Sequence, residues 1–259
     1  MESPASGSPT APEVVAPILA AEIDAALRAQ ADPVRAEGSK RYLHSALTHY
    51  GVTVPGTRAI VRDVRKAHPD LTHTDLIAVA RALWRPPVHD SRLAACLWLE
   101  AYVDRLTTDD TALLAELIGA SGTWALVDPL AVSVAGRLLP RVPEVAETYR
   151  AWAAQEEMWL RRAGVLGFLL AVRSTQTYPR WFPVLVEVAD PLLTDTRFFV
   201  RKAIGWVFRE AAKQHPDAVV AWASARLDRV SGLTLREALK RIPEERKAPL
   251  IRTQRGARG

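Results

Sequence analysis

Apolar residues recur at helical spacing along nearly the whole chain, which restricts the fold to helices. Segments of about 10 to 17 residues carry apolar side chains at positions i, i+3, i+4 and i+7. The stretch from Leu76 to Leu83 is one example, and Thr72 followed three residues later by Asp75 gives it a capping-box start. No stretch alternates in the way typical of a β-strand. The sequence therefore predicts an all-α fold.

One ten-residue pattern occurs twice, 40 residues apart. Residues 159–168 (WLRRAGVLGF) align with residues 199–208 (FVRKAIGWVF), and residues 92–98 carry a weaker copy. A period of about 40 residues made of helix pairs is typical of HEAT-type repeats. We therefore predict a HEAT-like helical-repeat solenoid with a concave basic face. A second interpretation is that the repeated Arg161 and Arg201 bridge neighbouring repeats through carboxylates.

The chain ends differ in composition from the remainder. Residues 1–17 are rich in Ala, Pro and Ser, which bury little area, so we expect a flexible N-terminal tail. Residues 251–259 are rich in Arg and are expected to form a basic, flexible C-terminal tail. Residues 18–250 between them are predicted to fold as a single α-solenoid domain. A solenoid with capped ends needs no second copy, so a monomer is expected.

Composition excludes several classes of site. The only cysteine, Cys96, allows no internal disulfide and no Cys-based zinc site, and its apolar surroundings predict a buried, inert thiol. The chain lacks GxxxxGK[ST], GxGxxG and HExxH motifs. His44 and His49, like His68 and His73, are five residues apart and so do not share a helical face. No cofactor and no metal are therefore predicted.

The same composition bears on compartment. The lone cysteine favours a reducing environment. No stretch of about 18 apolar residues is free of charge, and the first residues do not have the pattern of a signal peptide. We therefore expect a cytoplasmic protein with no membrane association.

Trp124 and Asp128 form the first candidate site. They lie four residues apart at the start of a predicted helix, so their side chains share a face. Ser121 or Thr123 is expected to cap this helix, and the helix dipole is expected to keep Asp128 ionised. The alternative is a core tryptophan beside an acid that only stabilises the helix start.

A cationic stripe forms the second candidate site. Lys202, Trp206, Arg209 and Lys213 recur at i, i+4, i+7 and i+11, which places them on one side of a helix. An aromatic side chain among cations suits a nucleic-acid backbone and its bases. The alternative is a solvated cationic face that carries one tryptophan. Because the formal net charge is only +5, we expect the acids to lie elsewhere on the surface.

Seen together, separated blocks over about residues 35–242 resemble one family, the HEAT-like-repeat alkylpurine DNA glycosylases, or AlkD-type DNA alkylation repair proteins. The order and spacing of the blocks carry this resemblance more than any single block does. The blocks are Arg41-Tyr42, Gly51-Val52, Thr57-Arg58, Leu83-Trp84, Trp124 to Asp128, Trp159 to Ala163, Phe198 to Glu210 and Leu233 to Lys240.

The resemblance implies a glycosylase that hydrolyses the N-glycosidic bond of cationic N3- and N7-alkylated purines in double-stranded DNA. It implies that the catalytic residues around the damaged nucleotide are Asp128, Trp124 and Trp206. It further implies that a second set of side chains holds the DNA backbone. This set is Tyr42, Arg162, Lys202, Arg209 and Lys213.

The chemistry agrees with this set of residues. An alkylated purine that already carries a positive charge leaves without a general acid, metal or cofactor. A carboxylate and aromatic faces stabilise the positive charge that develops on the sugar. The chain departs from the family pattern at Ala125, where the family often has an acid. Two other functions therefore stay open, a non-catalytic HEAT-like binder of damaged or branched DNA and a protein-interaction solenoid.

Overall fold

The computed structural model describes residues 12–256, and within them it has sixteen α-helices and no β-strand. The all-α prediction is confirmed. None of the described helices is long and apolar enough to cross a membrane. The chain divides into two compact units at Arg105 and Leu106, and each is described separately below. The assignment of residues 18–250 to a single domain stays a prediction.

The first unit, up to Arg105, contains five helices. They are α1 (Pro12–Ala29), α2 (Pro33–Leu43), α3 (Val54–Ala67), α4 (His73–Trp84) and α5 (His89–Ala101). Helix α1 packs on α3 and α4, and α5 packs on both α3 and α4. The predicted capping box starts α4, because Thr72 Oγ1 accepts from Asp75 N and the Asp75 carboxylate accepts from Thr72 N. Cys96 is fully buried in this unit, as predicted.

The second unit, from Leu106 onwards, contains the remaining eleven helices. They are α6 (Thr111–Gly119), α7 (Trp124–Asp128), α8 (Gly136–Leu138), α9 (Val145–Ala154), α10 (Met158–Leu166), α11 (Leu169–Arg173), α12 (Tyr178–Ala189), α13 (Phe198–Ala211), α14 (Pro216–Ser224), α15 (Gly232–Ala238) and α16 (Glu244–Gly256). A π-helical segment, Pro129–Ala135, joins α7 to α8. Helix α10 packs against α7, α9 and α13, so it lies at the centre of this unit.

The first copy of the ten-residue pattern begins on α10 and ends two residues beyond it, and the second copy lies on α13, which packs against α10. The matched residues Ala163 and Ala203 are both fully buried. Arg161 bridges to the buried carboxylate of Asp195 at 3.0 Å. The contact of Arg161 therefore agrees with the second interpretation, in which the repeated arginine bridges to a carboxylate, and not with a phosphate-binding role.

The helices reach further towards the N-terminus than the sequence predicted. Helix α1 begins at Pro12, inside the tail predicted for residues 1–17. Proline favours the first position of a helix because it has no N–H to leave unpaired. The buried Ala16 then anchors this first part of the helix. The rest of the predicted tail, residues 1–11, lies outside the described residues.

The same difference occurs at the C-terminus. Helix α16 continues to Gly256, through most of the tail predicted for residues 251–259. Gln254 is buried, and its Nε2 donates to Val230 O at 3.2 Å. This side chain fixes the last turns against the unit, so the segment is helical despite its arginines. Residues 257–259 lie outside the described part.

Gly164 marks the closest approach of α10 to α9. A Cβ at this position would lie 2.5 Å from both Tyr149 O and Ala153 N, which are backbone atoms that cannot rotate away. We therefore expect Gly164→Ala to lower the free energy of unfolding by about 1–3 kcal/mol through overpacking. Denaturant unfolding measures this. Gly38→Ala is the control, since nothing lies within 4 Å of its Cβ, and equal effects of the two substitutions would contradict the packing.

Candidate functional site

Asp128 and Arg162 form a two-point ion pair in the second unit. Arg162 Nε donates to Asp128 Oδ1 at 2.8 Å, and its Nη2 donates to Oδ2 at 2.9 Å. The remaining guanidinium nitrogen, Nη1, donates to Phe199 O at 2.7 Å. One arginine on α10 therefore fixes the end of α7 and the first turn of α13 relative to each other. This geometry fixes both oxygens of the carboxylate.

Local sequence explains how Asp128 comes to this position. Thr123 caps α7 by accepting from Ala125 N at 3.4 Å, after a left-handed Gly122 (φ 65°) turns the chain. Ser121, the other expected cap, donates to Leu117 O. Pro129 follows Asp128 without an N–H to donate, and the helix continues as a π-helix. Such segments frequently accompany functional sites.

Two opposing effects act on the Asp128 carboxyl. Burial raises its pKa, while the hydrogen bonds and the positive charge of Arg162 lower it; burial is the larger effect. The sequence predicts that the helix dipole keeps Asp128 ionised. In the structure Asp128 is the last residue of α7, and its charge is instead stabilised by Arg162.

The two predicted site tryptophans are half-buried. Trp124 lies on α7, one helical turn before Asp128. Trp206 lies on α13, seven residues after Phe199, which is about 10 Å along the helix axis. The other six tryptophans are at most 9% exposed: Trp84, Trp98, Trp152, Trp159, Trp181 and Trp222. Trp124 and Trp206 are therefore the only two of the eight tryptophans that are not buried.

The cationic stripe on and just after α13 is paired with acids. Lys202 Nζ donates to Glu237 at 2.6 Å, and Arg209 contacts the same carboxylate. Lys213 donates to Glu210, which also lies 3.9 Å from Arg209. The expectation that the acids lie elsewhere was therefore wrong. Two carboxylates partly neutralise three cations, while the side chains of Lys202 and Lys213 stay 38% and 30% exposed.

The remaining predicted DNA contacts lie in very different surroundings. Arg162 is only 4% exposed, and Asp128 and Phe199 O occupy its donors, so a phosphate reaches it only by displacing them. We therefore reassign Arg162 as a positioning residue for Asp128. Tyr42 lies in the last turn of α2 in the first unit and is 71% exposed. Its role in DNA binding stays a prediction.

Sequence reasoning missed several partners of the site. Phe199 contributes through its carbonyl, which no side-chain pattern reveals. Glu237 lies on α15, and its only signal in the sequence is that it falls within the family-like block from Leu233 to Lys240. Lys240 and Arg241 line a cavity of about 450 Å³ together with Arg209. Burial lowers the pKa of Arg209, and the charge of Arg241 lowers it further against the opposing charge of Glu210.

A separate histidine cluster lies in the first unit. The rings of His49 and His89 stack in parallel, 4.4 Å apart, and their ligand atoms lie within 4.8 Å of Asp90. Parallel rings direct their lone pairs side by side rather than towards one ion. Both Asp90 oxygens accept backbone N–H groups, from Tyr50 at 2.7 Å and Val52 at 2.8 Å. The cluster therefore fastens the loop before α3 to the start of α5.

This cluster predicts a pH dependence of stability. Burial and the neighbouring His49 lower the pKa of His89 from 6.5 to about 4, against the opposing charge of Asp90. Because the folded pKa lies below the unfolded one, the stabilisation is complete above about pH 6.5 and is lost as pH falls towards 4. We expect a loss of up to about 3 kcal/mol over this range. In His89→Asn the unfolding free energy is expected to fall less steeply, and an identical slope would refute the assignment.

Comparison with known proteins identifies the family. The family described as DNA alkylation repair enzyme matches residues 23–242. A solved structure described as a predicted DNA alkylation repair enzyme from Enterococcus faecalis is 21% identical, with a TM-score of 0.72 over 83% of this chain and 98% of that one. AlkD2 from Streptococcus mutans is 14% identical, with a TM-score of 0.57 over 73% and 90% of the two chains.

No curated protein matches the sequence significantly. The two solved structures share the HEAT-like helical-repeat fold, which agrees with the repeat found between α10 and α13. The family match covers both α7 and α13, and so includes Asp128, Arg162 and the cationic stripe. The chain therefore belongs to the DNA alkylation repair enzyme family.

Proposed function

We propose that this protein is a DNA glycosylase that excises cationic N3- and N7-alkylated purines, such as 3-methyladenine and 7-methylguanine, from double-stranded DNA. One observation carries the proposal. Asp128 is a half-buried carboxylate whose two oxygens are held by a buried arginine, one helical turn from the half-buried Trp124. A fixed negative charge beside an aromatic face suits a reaction in which positive charge develops on a sugar.

The bond chemistry needs no group beyond these residues. The N-glycosidic bond breaks with its electron pair passing to the purine, which neutralises the positive charge of the alkylated base. Positive charge then develops at C1′ of the deoxyribose, where the Asp128 carboxylate stabilises it. A water molecule adds to C1′ and loses a proton, leaving an abasic site. Because Arg162 fixes Asp128 before the substrate arrives, little reorganisation opposes this step.

Trp124 and Trp206 supply aromatic faces to the cationic base or sugar. A cation over an indole ring gains on the order of 0.5–2 kcal/mol, more when water is excluded. A neutral lesion gains little of this, and its base leaves poorly without a proton. The proposed site therefore selects cationic adducts. Ala125, which stands where the family often has an acid, removes one carboxylate next to Trp124 and leaves Asp128 as the acid of this motif.

The DNA backbone is proposed to contact Tyr42, Lys202, Arg209 and Lys213. The side chains of Lys202 and Lys213 are 38% and 30% exposed, so a phosphate can reach them beside their paired carboxylates. Their pairing with Glu237 and Glu210 fixes the cations and limits the local charge. Phosphate binding of this kind is strongly salt-dependent.

The test compares two duplexes that differ in one base. One carries a single 7-methylguanine and the other a single uracil, a neutral lesion. We expect free 7-methylguanine and an alkali-labile site from the first duplex, and no product from the second. Equal release from both would remove the selectivity for cationic bases. Tight binding without any release would support the non-catalytic DNA-binding function instead.

A further inference from the structure

A cavity of about 500 Å³ opens in the first unit, and no role has been assigned above to any residue of its lining. It is lined by Arg62, Arg65, Lys66, Pro69, Tyr102 and Arg105. The first three lie on one face of the last turns of α3, at i, i+3 and i+4, and Arg105 ends the first unit. The lining therefore contains four cations and no acidic side chain.

Tyr102 is the one buried residue of this lining. Its side chain is 6% exposed, and its hydroxyl is buried without a hydrogen-bond partner among the described residues. The guanidinium groups of Arg65 and Arg105 lie over its ring, at 5.0 and 5.7 Å from the centroid. A buried hydroxyl without a partner costs free energy, so an acceptor that enters the cavity would recover it. Each arginine is stabilised by its contact with the electron-rich ring.

The cations of this cavity remain available to a ligand. Arg62 pairs with Asp63 at 3.0 Å, but both side chains are more than half exposed, and such pairs contribute little. Arg65, Lys66 and Arg105 form no ion pair with a described acidic residue within 4 Å. Four cations around one unsatisfied O–H donor are complementary to an anion with several acceptor oxygens. A phosphate group has this chemistry.

We propose that this cavity binds phosphate groups, with Arg65 and Arg105 as the main cationic contacts and the Tyr102 hydroxyl as a neutral donor. The phosphates of a DNA backbone are one source, and this version rests on the proposed function. A small free polyphosphate is the other source. A DNA backbone and a free polyphosphate both present phosphate oxygens to the cavity. Binding of each is therefore measured separately.

The experiment uses the full chain, an undamaged duplex of about 20 base pairs and, separately, inorganic pyrophosphate. Binding to each is measured over a range of salt concentrations for the parent, Arg65→Gln, Arg105→Gln and Tyr102→Phe. Each arginine variant is expected to bind its ligand about 5–10-fold more weakly and to lower the salt slope by about one. Tyr102→Phe keeps the ring and is expected to weaken binding about 3–10-fold.

Arg85→Gln is the control, because Arg85 is an exposed arginine of the same unit that does not line the cavity. Its binding is expected to stay within twofold of the parent value. Weakening of duplex binding alone assigns the site to DNA, and weakening of pyrophosphate binding alone assigns it to a small phosphate. The proposal is overturned if Arg65→Gln, Arg105→Gln and Tyr102→Phe bind both ligands as tightly as the parent or as Arg85→Gln does. Base release is not the readout, so a parent that binds DNA without excising bases contradicts only the proposed function.

Discussion

Replacing Asp128 with Asn is expected to slow the release of 7-methylguanine from duplex DNA by about 10²- to 10³-fold, the usual effect of removing one preorganised electrostatic group. The amide has nearly the same shape but no charge, so it cannot stabilise the positive charge on the sugar. Its oxygen still accepts one hydrogen bond from Arg162, but its NH2 group cannot accept the second, so a loss of stability accompanies the slower release. Binding to undamaged duplex is expected to stay within a few-fold of the parent value.

Single-turnover excision at saturating protein measures this effect without interference from binding. Asp190→Asn is a matched control, because Asp190 also forms a two-point pair, with Arg226 at 2.6 and 2.8 Å, in the same unit. It is expected to change stability without slowing excision. If Asp128→Asn releases the base as fast as the parent does, Asp128 has no part in the chemistry.

Replacing Arg162 with Ala is expected to lower the free energy of unfolding by about 3–5 kcal/mol, because it leaves the charge of Asp128, whose side chain is 16% exposed, uncompensated. The substitution also removes the donor to Phe199 O, which links α10 to α13. Denaturant unfolding provides the measurement. Arg226→Ala is expected to cost less, about 1 kcal/mol, since Arg226 and Asp190 are 19% and 29% exposed.

The same variant has a second consequence that a purely structural role would not produce. Arg162 lowers the pKa of Asp128 against the larger effect of burial, so its removal raises that pKa further. The glycosylase reaction needs the ionised carboxylate. The acid limb of its pH profile is therefore expected to move to higher pH in Arg162→Ala, and to stay in place in Arg226→Ala. The positioning role of Arg162 would be contradicted if Arg162→Ala and Arg226→Ala lowered the free energy of unfolding equally and neither moved the pH profile of excision.

The local features of this fold were predictable because they depend on neighbouring residues. The helical spacing, the capping box at Thr72 and the paired pattern on α10 and α13 all lie within short stretches of sequence. The buried Cys96 and the helical face shared by Trp124 and Asp128 were predictable for the same reason. Arg161 was ambiguous, since its bridging partner Asp195 lies 34 residues away.

The pairings within the site could not be read from the sequence. Asp128 and Arg162 are 34 residues apart, and Lys202 and Glu237 are 35 apart, so only the packing of α7, α10, α13 and α15 brings them together. Burial decides whether an arginine holds a carboxylate or binds a phosphate, and helical spacing alone does not give burial. The same limit applies to the cavity around Tyr102, whose hydroxyl is recognised as unpaired only in three dimensions.

The most direct test of the account follows the alkyl group itself. Duplex DNA carrying 7-methylguanine with a radiolabelled methyl group is incubated with the protein, and the soluble products are separated by chromatography. The account predicts that the label leaves the DNA as free 7-methylguanine, with one abasic site formed for each base released. Label that stays in the DNA, or that leaves while guanine remains in the strand, would contradict hydrolysis of the glycosidic bond.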